Sequence, residues 1–138
     1  LRDRVTRQGD LSHYNSCNVL SLHALLGAYS DEGAQWLDEL RPVLADNIRY
    51  ACDFIAAHFP GVQVMQPQGT YMLFLDCAAW LQEHHMTLRE LEERGARAGV
   101  IWQDGAAFAW PDSIRMNLAL PHSRLVEAME RLRVHAFY

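Results

Sequence analysis

The chain has no lysine. All twelve of its basic residues are arginine, so no side-chain amine is on hand as a nucleophile or imine former. Cysteine is scarce: Cys17, Cys52 and Cys77 are an odd number, far apart and without metal-type spacing. That pattern excludes a disulfide framework and predicts a reducing, cytoplasmic setting. No apolar run approaches the length of a membrane span, and no signal peptide is recognisable at the start. Internal repeats, low-complexity stretches and flexible linkers are also missing. A net charge of −5 and a pI near 5.7 argue against nucleic acid or an anionic membrane as partner. What is present is 138 residues, 50% hydrophobic, enough for one compact core and short for two comfortable domains. The chain opens on Leu1 rather than methionine, which predicts that residue 1 is not a natural start.

Periodicity reads as alternating elements. Residues 17–29, "CNVLSLHALLGAY", predict a helix that is nearly all buried. "SDEG" punctuates it, with Ser30 or Asp31 as the cap of the next helix. That helix should run to Phe59 on a stripe of Trp36, Leu40, Leu44, Ile48, Ala51 and Ile55, with a kink or restart at Pro42. Its length, with charges opposite the stripe, suits a connector between two domains. After Pro60-Gly61, "VQVM" and "TYMLFLDC" predict two strands, the second covered on both faces. "TLRELEERGARAG" has capping-box spacing at Thr87 and Glu90, with Gly99 as terminator. "VIW" and "SIRMNLAL" predict two further strands, and Pro121 and Ser123 open a last amphipathic helix. The order predicts an α/β two-layer sandwich, a small mixed sheet with helices packed on it, preceded by a long connecting helix.

Most candidates for chemistry fall away on inspection. Serines, histidines and aspartates occur without a G-x-S-x-G elbow or triad spacing. His13, Cys17 and His23 lie close in sequence and His84-His85 is an adjacent pair, but no ligand set closes, so no metal is expected. "GVIWQDGAAFAW" has glycines without phosphate-loop spacing and reads as a loop.

Arg115 is what remains. In "SIRMNLALP" alternation puts Ile114, Met116, Leu118 and Leu120 on one face, and Ser113, Arg115, Asn117 and Ala119 on the other. A charge within a fold is costly unless paired. Two readings stand side by side: pairing to an internal carboxylate or snorkelling from the sheet, or a clamp whose planar fork takes a substrate carboxylate bidentately.

"DLSHYNSCNVLSLHALLGAY", "WLDEL…NI", "GTYMLFLDC", "WQDGAAF" and "IRMNLALPHSRLVEAMERL" together resemble the C-terminal part of class I/II aminotransferase-superfamily enzymes of fold type I. These depend on pyridoxal 5'-phosphate (PLP), and the resemblance is strongest to the cystathionine β-lyase-like C–S lyases. It covers nearly the whole chain, with five motifs in order. It implies that Arg115 grips the α-carboxylate of an amino-acid substrate, that Asn117 supports the site, and that Asn15 and Ser16 lie at a subunit interface, near the neighbour's site. It also implies residues 1–30 as a remnant of the large PLP-binding domain and 31–138 as connecting helix and small domain. Self-association, as a homodimer or otherwise, follows from the same likeness.

The departures matter equally. The family's Schiff-base lysine, its aspartate for the pyridine nitrogen and its ring-stacking aromatic belong upstream of this stretch. No catalytic residue is therefore nominated here, and no PLP is expected on the chain alone. Ala109 stands where relatives often have glycine, and His122 where arginine often follows the proline. The expected activity of an intact enzyme is C–S β-elimination, with transamination as the neighbouring alternative. A stand-alone, non-catalytic ligand-binding α/β domain is the alternative from another class.

Overall fold

A computed structural model describes residues 1–12 and 17–138. The chain forms two compact units, Leu1–Leu40 and Arg41–Tyr138. The first contains helices α1 (Arg2–Ser12) and α2 (Val19–Ala28) and the start of α3 (Asp31–His58). Asn18 caps α2 by accepting from the Ser21 N–H at 2.8 Å. Ser30 opens α3, its Oγ accepting from the Gly33 N–H at 3.2 Å. Contrary to expectation, α2 has no buried residue: Val19, Leu20, Leu22, Leu25 and Leu26 are all exposed. Apolar residues all round the helix signal a buried element only when other parts of a fold surround it.

The second unit begins inside α3 and continues through β1 (Gln63–Val64), β2 (Met72–Asp76), α4 (Ala78–Glu83), α5 (Leu88–Arg97), β3 (Gln103–Asp104), a 3-10 turn (Gly105–Phe108), β4 (Ser113–Asn117) and α6 (His122–His135). The sheet order is β1-β2-β4-β3. Every pairing is antiparallel, so the sheet is not mixed as expected. The reason lies in the connections. A parallel pair needs a crossover, whereas here two central strands entered from opposite ends bracket α4 and α5. The two-layer α/β plan itself holds, and α3 leads into it.

Helix α3 neither breaks nor restarts at Pro42. That residue is exposed, so a carbonyl left over by the missing N–H can be hydrated. Of the expected stripe, Ile48, Ala51 and Ile55 are buried while Trp36 is 63% exposed. Helix α5 carries the complete capping box between Thr87 and Glu90. It ends in a Schellman motif, with Gly99 at φ +79° and the Val100 N–H on the Gly95 carbonyl at 2.9 Å. That bond uses the donor a strand at 100–102 would have needed, so the expected strand starts later, at Gln103. Helices α1 and α4 were not anticipated.

One face of the sheet is closed. Leu73 and Leu75 of β2, with Ile114 and Met116 of β4 and the adjoining Leu118, are buried. They share one apolar cluster with Ile48, Ala51 and Ile55 of α3 and Leu125, Met129 and Leu132 of α6. The other face of β2 is only half-covered, at Met72, Phe74 and Asp76, where cover on both faces was expected. Among the described residues no helix is long and apolar enough to cross a membrane.

Cys77 follows β2 inside this core, and burial, with lesser contributions from Asp76 and Asp112, pushes its thiol up to about 12. Burial also raises Cys52, whereas Cys17 is exposed. A thiol reagent at pH 8 should therefore label Cys17 quickly and Cys77 only after unfolding. Between about pH 9 and 12 the unfolded chain releases the Cys77 proton while the folded chain retains it. Stability should then fall as pH rises through that window, by up to about 1.4 kcal/mol per pH unit. A Cys77→Ala variant should lack that component of the slope. Fast labelling of native Cys77 would contradict the burial argument.

Candidate functional site

Alternation along β4 places Arg115 on the half-open face, as read from the sequence. Its register partner on β2 is Phe74 and on β3 is Gln103. The guanidinium lies over the Phe108 ring, with Cζ 4.2 Å from the ring centroid. One Nη2 N–H donates to Gln103 Oε1. Nε is buried without an acceptor. Among the described residues no carboxylate forms an ion pair with Arg115; the ion pairs seen elsewhere include those of Arg49, Arg89, Arg97, Arg124, Arg131 and Arg133. The charge is thus met by a ring face and one neutral amide oxygen. Such contacts orient a guanidinium without neutralising it. A carboxylate would be a stronger acceptor than that amide, because charge-assisted hydrogen bonds are roughly twice as strong.

The turn from β3 to β4 sets Phe108 under Arg115. Asp104 Oδ1 accepts from the Ala106 N–H at 2.7 Å and starts the 3-10 turn. Ser113, fully buried at the start of β4, donates from Oγ to the Trp110 carbonyl at 2.7 Å. A Cβ on Gly105 would lie 1.8 Å from that Oγ, so only glycine lets the turn close on β4. Ala109, directly after Phe108, sits in the left-handed region at φ 59°, ψ 26°. That conformation costs an L-residue roughly 1–2 kcal/mol, offset in part by glycine's larger entropy loss on folding. Ala109→Gly should accordingly stabilise the chain by about 0.5–1 kcal/mol in a urea titration. Destabilisation would show that the alanine methyl has a packing role the geometry does not reveal.

Asn117 ends β4 exposed, its Oδ1 accepting from the Ala119 N–H at 2.8 Å. It shapes the turn off the strand and makes no direct bond to Arg115. Asn15, Ser16 and His13 lie outside the described residues. His84 is a structural residue, stacked on Trp80 with Nδ1 2.8 Å from the Trp80 carbonyl oxygen. Among the described residues no three His, Cys, Asp or Glu side chains stand together as a metal site.

Two features were missed from the sequence. Asn47, fully buried on α3, donates from Nδ2 to the Leu118 and Leu120 carbonyls, both at 2.9 Å. Its Oδ1 lies 3.0 Å from His122 Nδ1, which must carry the donated proton. This pins the chain leaving β4, and it gives His122 a partner. The signal was one polar residue beside Ile48 on a buried helical face. The second is a cavity of about 680 Å³ on the half-open face, walled by Met72, Phe74, Phe108 and Trp110.

The sequence model for the family described as "Aminotransferase class I and II" matches residues 8–132, and the chain belongs to that family. It is 33% identical over 122 residues to protein MalY of Escherichia coli (strain K12), covering 86% of this chain and 30% of that protein. It is 35% identical over 131 residues to the cystathionine β-lyase of Corynebacterium glutamicum, covering 93% of this chain and 31% of that one. Among solved structures it is similar to PLP-containing cystalysin of Treponema denticola. That match has a TM-score of 0.73 and 28% identity, covering 85% of this chain and 29% of that chain. A PLP-bound structure from Clostridium difficile 630 superposes at a TM-score of 0.82 and 28% identity, over 99% of this chain and 35% of that chain. The chain thus spans about a third of the length of the relatives it matches.

Proposed function

We propose that this chain is the substrate-carboxylate-recognising part of a PLP-dependent C–S lyase. Residues 1–30 belong to its large cofactor-binding domain, and 31–138 are its connecting helix and small domain. The intact enzyme would take an amino acid bearing a thio substituent on Cβ and, with one water, yield the thiol, pyruvate and ammonia. Arg115 is the group that carries this reading. It is a half-buried guanidinium on an open sheet face, met by Gln103 and Phe108 and paired to no carboxylate among the described residues. An amino acid's α-carboxylate supplies the missing charge, and the fork fixes its plane.

The stretch does not itself fit the cofactor. With no lysine it has no side-chain amine to condense with the aldehyde, so anchoring falls to residues outside it. What its residues contribute is substrate binding and orientation. Transamination is the second reading, favoured by the family's own description. The enzyme is read as cytoplasmic and self-associating, as a homodimer or otherwise, with the exposed leucines of α2 among the surfaces available for burial.

The test uses the full-length protein supplied with PLP and S-propylcysteine. Pyruvate and thiol should appear in equal amounts without any added 2-oxo acid. Turnover that requires a 2-oxo acid acceptor would establish the transaminase reading instead. Borohydride reduction should place the pyridoxyl label on a lysine outside residues 1–138. A stoichiometric side-chain label within them would overturn the assignment of this stretch.

A further inference from the structure

The cavity beside Arg115 has a composition that bears on which substituent the substrate carries. The pleat of β2 turns Met72, Phe74 and Asp76 to the same face as Arg115, and Phe74 is the direct register partner of that arginine. The Phe74 ring meets Phe108 edge-on at 5.6 Å between centroids and stacks on Trp110 at 6.3 Å and 20°. Phe108 in turn carries the guanidinium on its face, 4.2 Å from Cζ. A single ring therefore separates the carboxylate site from a cavity of about 680 Å³, well within the range of small-molecule sites.

We propose that this cavity receives the group attached to the substrate's sulfur, and that it selects apolar substituents over anionic ones. The inference rests on the C–S lyase reading above. A substrate held at Arg115 by its α-carboxylate has its sulfur substituent a few bonds away, the span of one aromatic ring. Met72, Phe74, Phe108 and Trp110 offer that substituent an apolar wall. Among the described residues that line it Asp76 is the only charged side chain, and the other polar groups, such as Gln63, Gln66 and Thr70, are neutral. A carboxylate at the far end of the substituent would exchange its hydration for neutral donors alone, beside a carboxylate of like charge. An alkyl or aryl group would bury apolar surface at no such cost.

Two thioether substrates of similar size separate these cases on the full-length enzyme with PLP: S-propylcysteine and S-carboxymethylcysteine. The wild type should favour S-propylcysteine in kcat/KM by roughly tenfold or more, the scale on which apolar pockets discriminate. Trp110→Ala should lower that preference several-fold; comparing variant with wild type cancels the intrinsic reactivity of the two leaving thiols. Gln68→Arg, at the exposed rim, should raise kcat/KM for S-carboxymethylcysteine while leaving S-propylcysteine nearly unchanged. Calorimetric titration of the same proteins with 3-phenylpropanoate and succinate, which bind without reacting, should show the same order. Pyruvate from both substrates at equal kcat/KM, unmoved by either variant, would overturn the pocket assignment and leave the lyase reading standing. Pyruvate from neither would overturn both.

Discussion

Replacing Asn47 by alanine is expected to cost the fold about 2–3 kcal/mol, from three lost hydrogen bonds at roughly 1 kcal/mol each, the one to exposed His122 contributing least. The side chain is wholly buried and saturated: both amide hydrogens go to the carbonyls of Leu118 and Leu120, and the oxygen takes the His122 Nδ1 proton. Those carbonyls belong to the segment leaving β4, where the Leu118 N–H still donates to the Tyr71 carbonyl at 2.9 Å. Among the described residues the one competing backbone bond to these carbonyls is from the Leu120 N–H to the Leu118 carbonyl at 3.0 Å. Alanine leaves the Leu120 carbonyl without that partner and the Leu118 carbonyl with one bond, in a place where Leu118 itself is fully buried. Asn47→Asp is nearly isosteric but turns the donating end into an acceptor facing two carbonyl oxygens, so it should be no milder. Urea unfolding followed by tryptophan fluorescence measures both. A loss below about 1 kcal/mol for Asn47→Ala would mean that water reaches these carbonyls and that the contacts are replaceable.

The same asparagine shows what a single sequence conceals. Its position between Asp46 and Ile48 marks a polar residue on an apolar stripe, but its partners lie more than seventy residues away. Local patterns were legible where the physics is local. The Thr87–Glu90 box, the Gly99 terminator and the alternation through Ile114–Asn117 appear as read, while Ser113, expected on the open face, is buried under the turn from Gly105. What depended on distant surroundings was not legible. Leu20, Leu22 and Leu25 are apolar whatever covers them, and in this chain they are exposed. The antiparallel sense of the sheet follows from β4 lying between β2 and β3, a placement that no local pattern shows. Gln103 faces Arg115 only because the 3-10 turn and residues 109–112 fix the register between β3 and β4. The face that Arg115 occupies could be read from the strand; the ring beneath it and the cavity beyond could not.

Arg115→Lys in the full-length enzyme tests the role of that face, because it retains the charge and removes the fork. The lysine ammonium is a compact point charge on a flexible stem, able to approach one carboxylate oxygen but unable to hold both in a plane. It also gives up the stacking on Phe108 and the donation to Gln103 that aim the guanidinium. A charge-assisted hydrogen bond is worth about 1.5–3 kcal/mol, so losing one of a bidentate pair predicts a fall in kcat/KM of roughly 10- to 100-fold. If the lost contact orients the substrate as well as binding it, kcat falls along with the rise in KM, since a misplaced Cα is held away from the reacting geometry. PLP content should stay at the wild-type level, because this stretch has no lysine with which to anchor it. Thermal stability should change little, because the residue is half-buried and pairs with no carboxylate among the described residues. The opposite pattern, a variant that loses stability or cofactor while the surviving enzyme retains normal substrate kinetics, would make Arg115 a structural residue. The guanidinium's place over Phe108 would then be its function, and the substrate carboxylate would have to be held elsewhere.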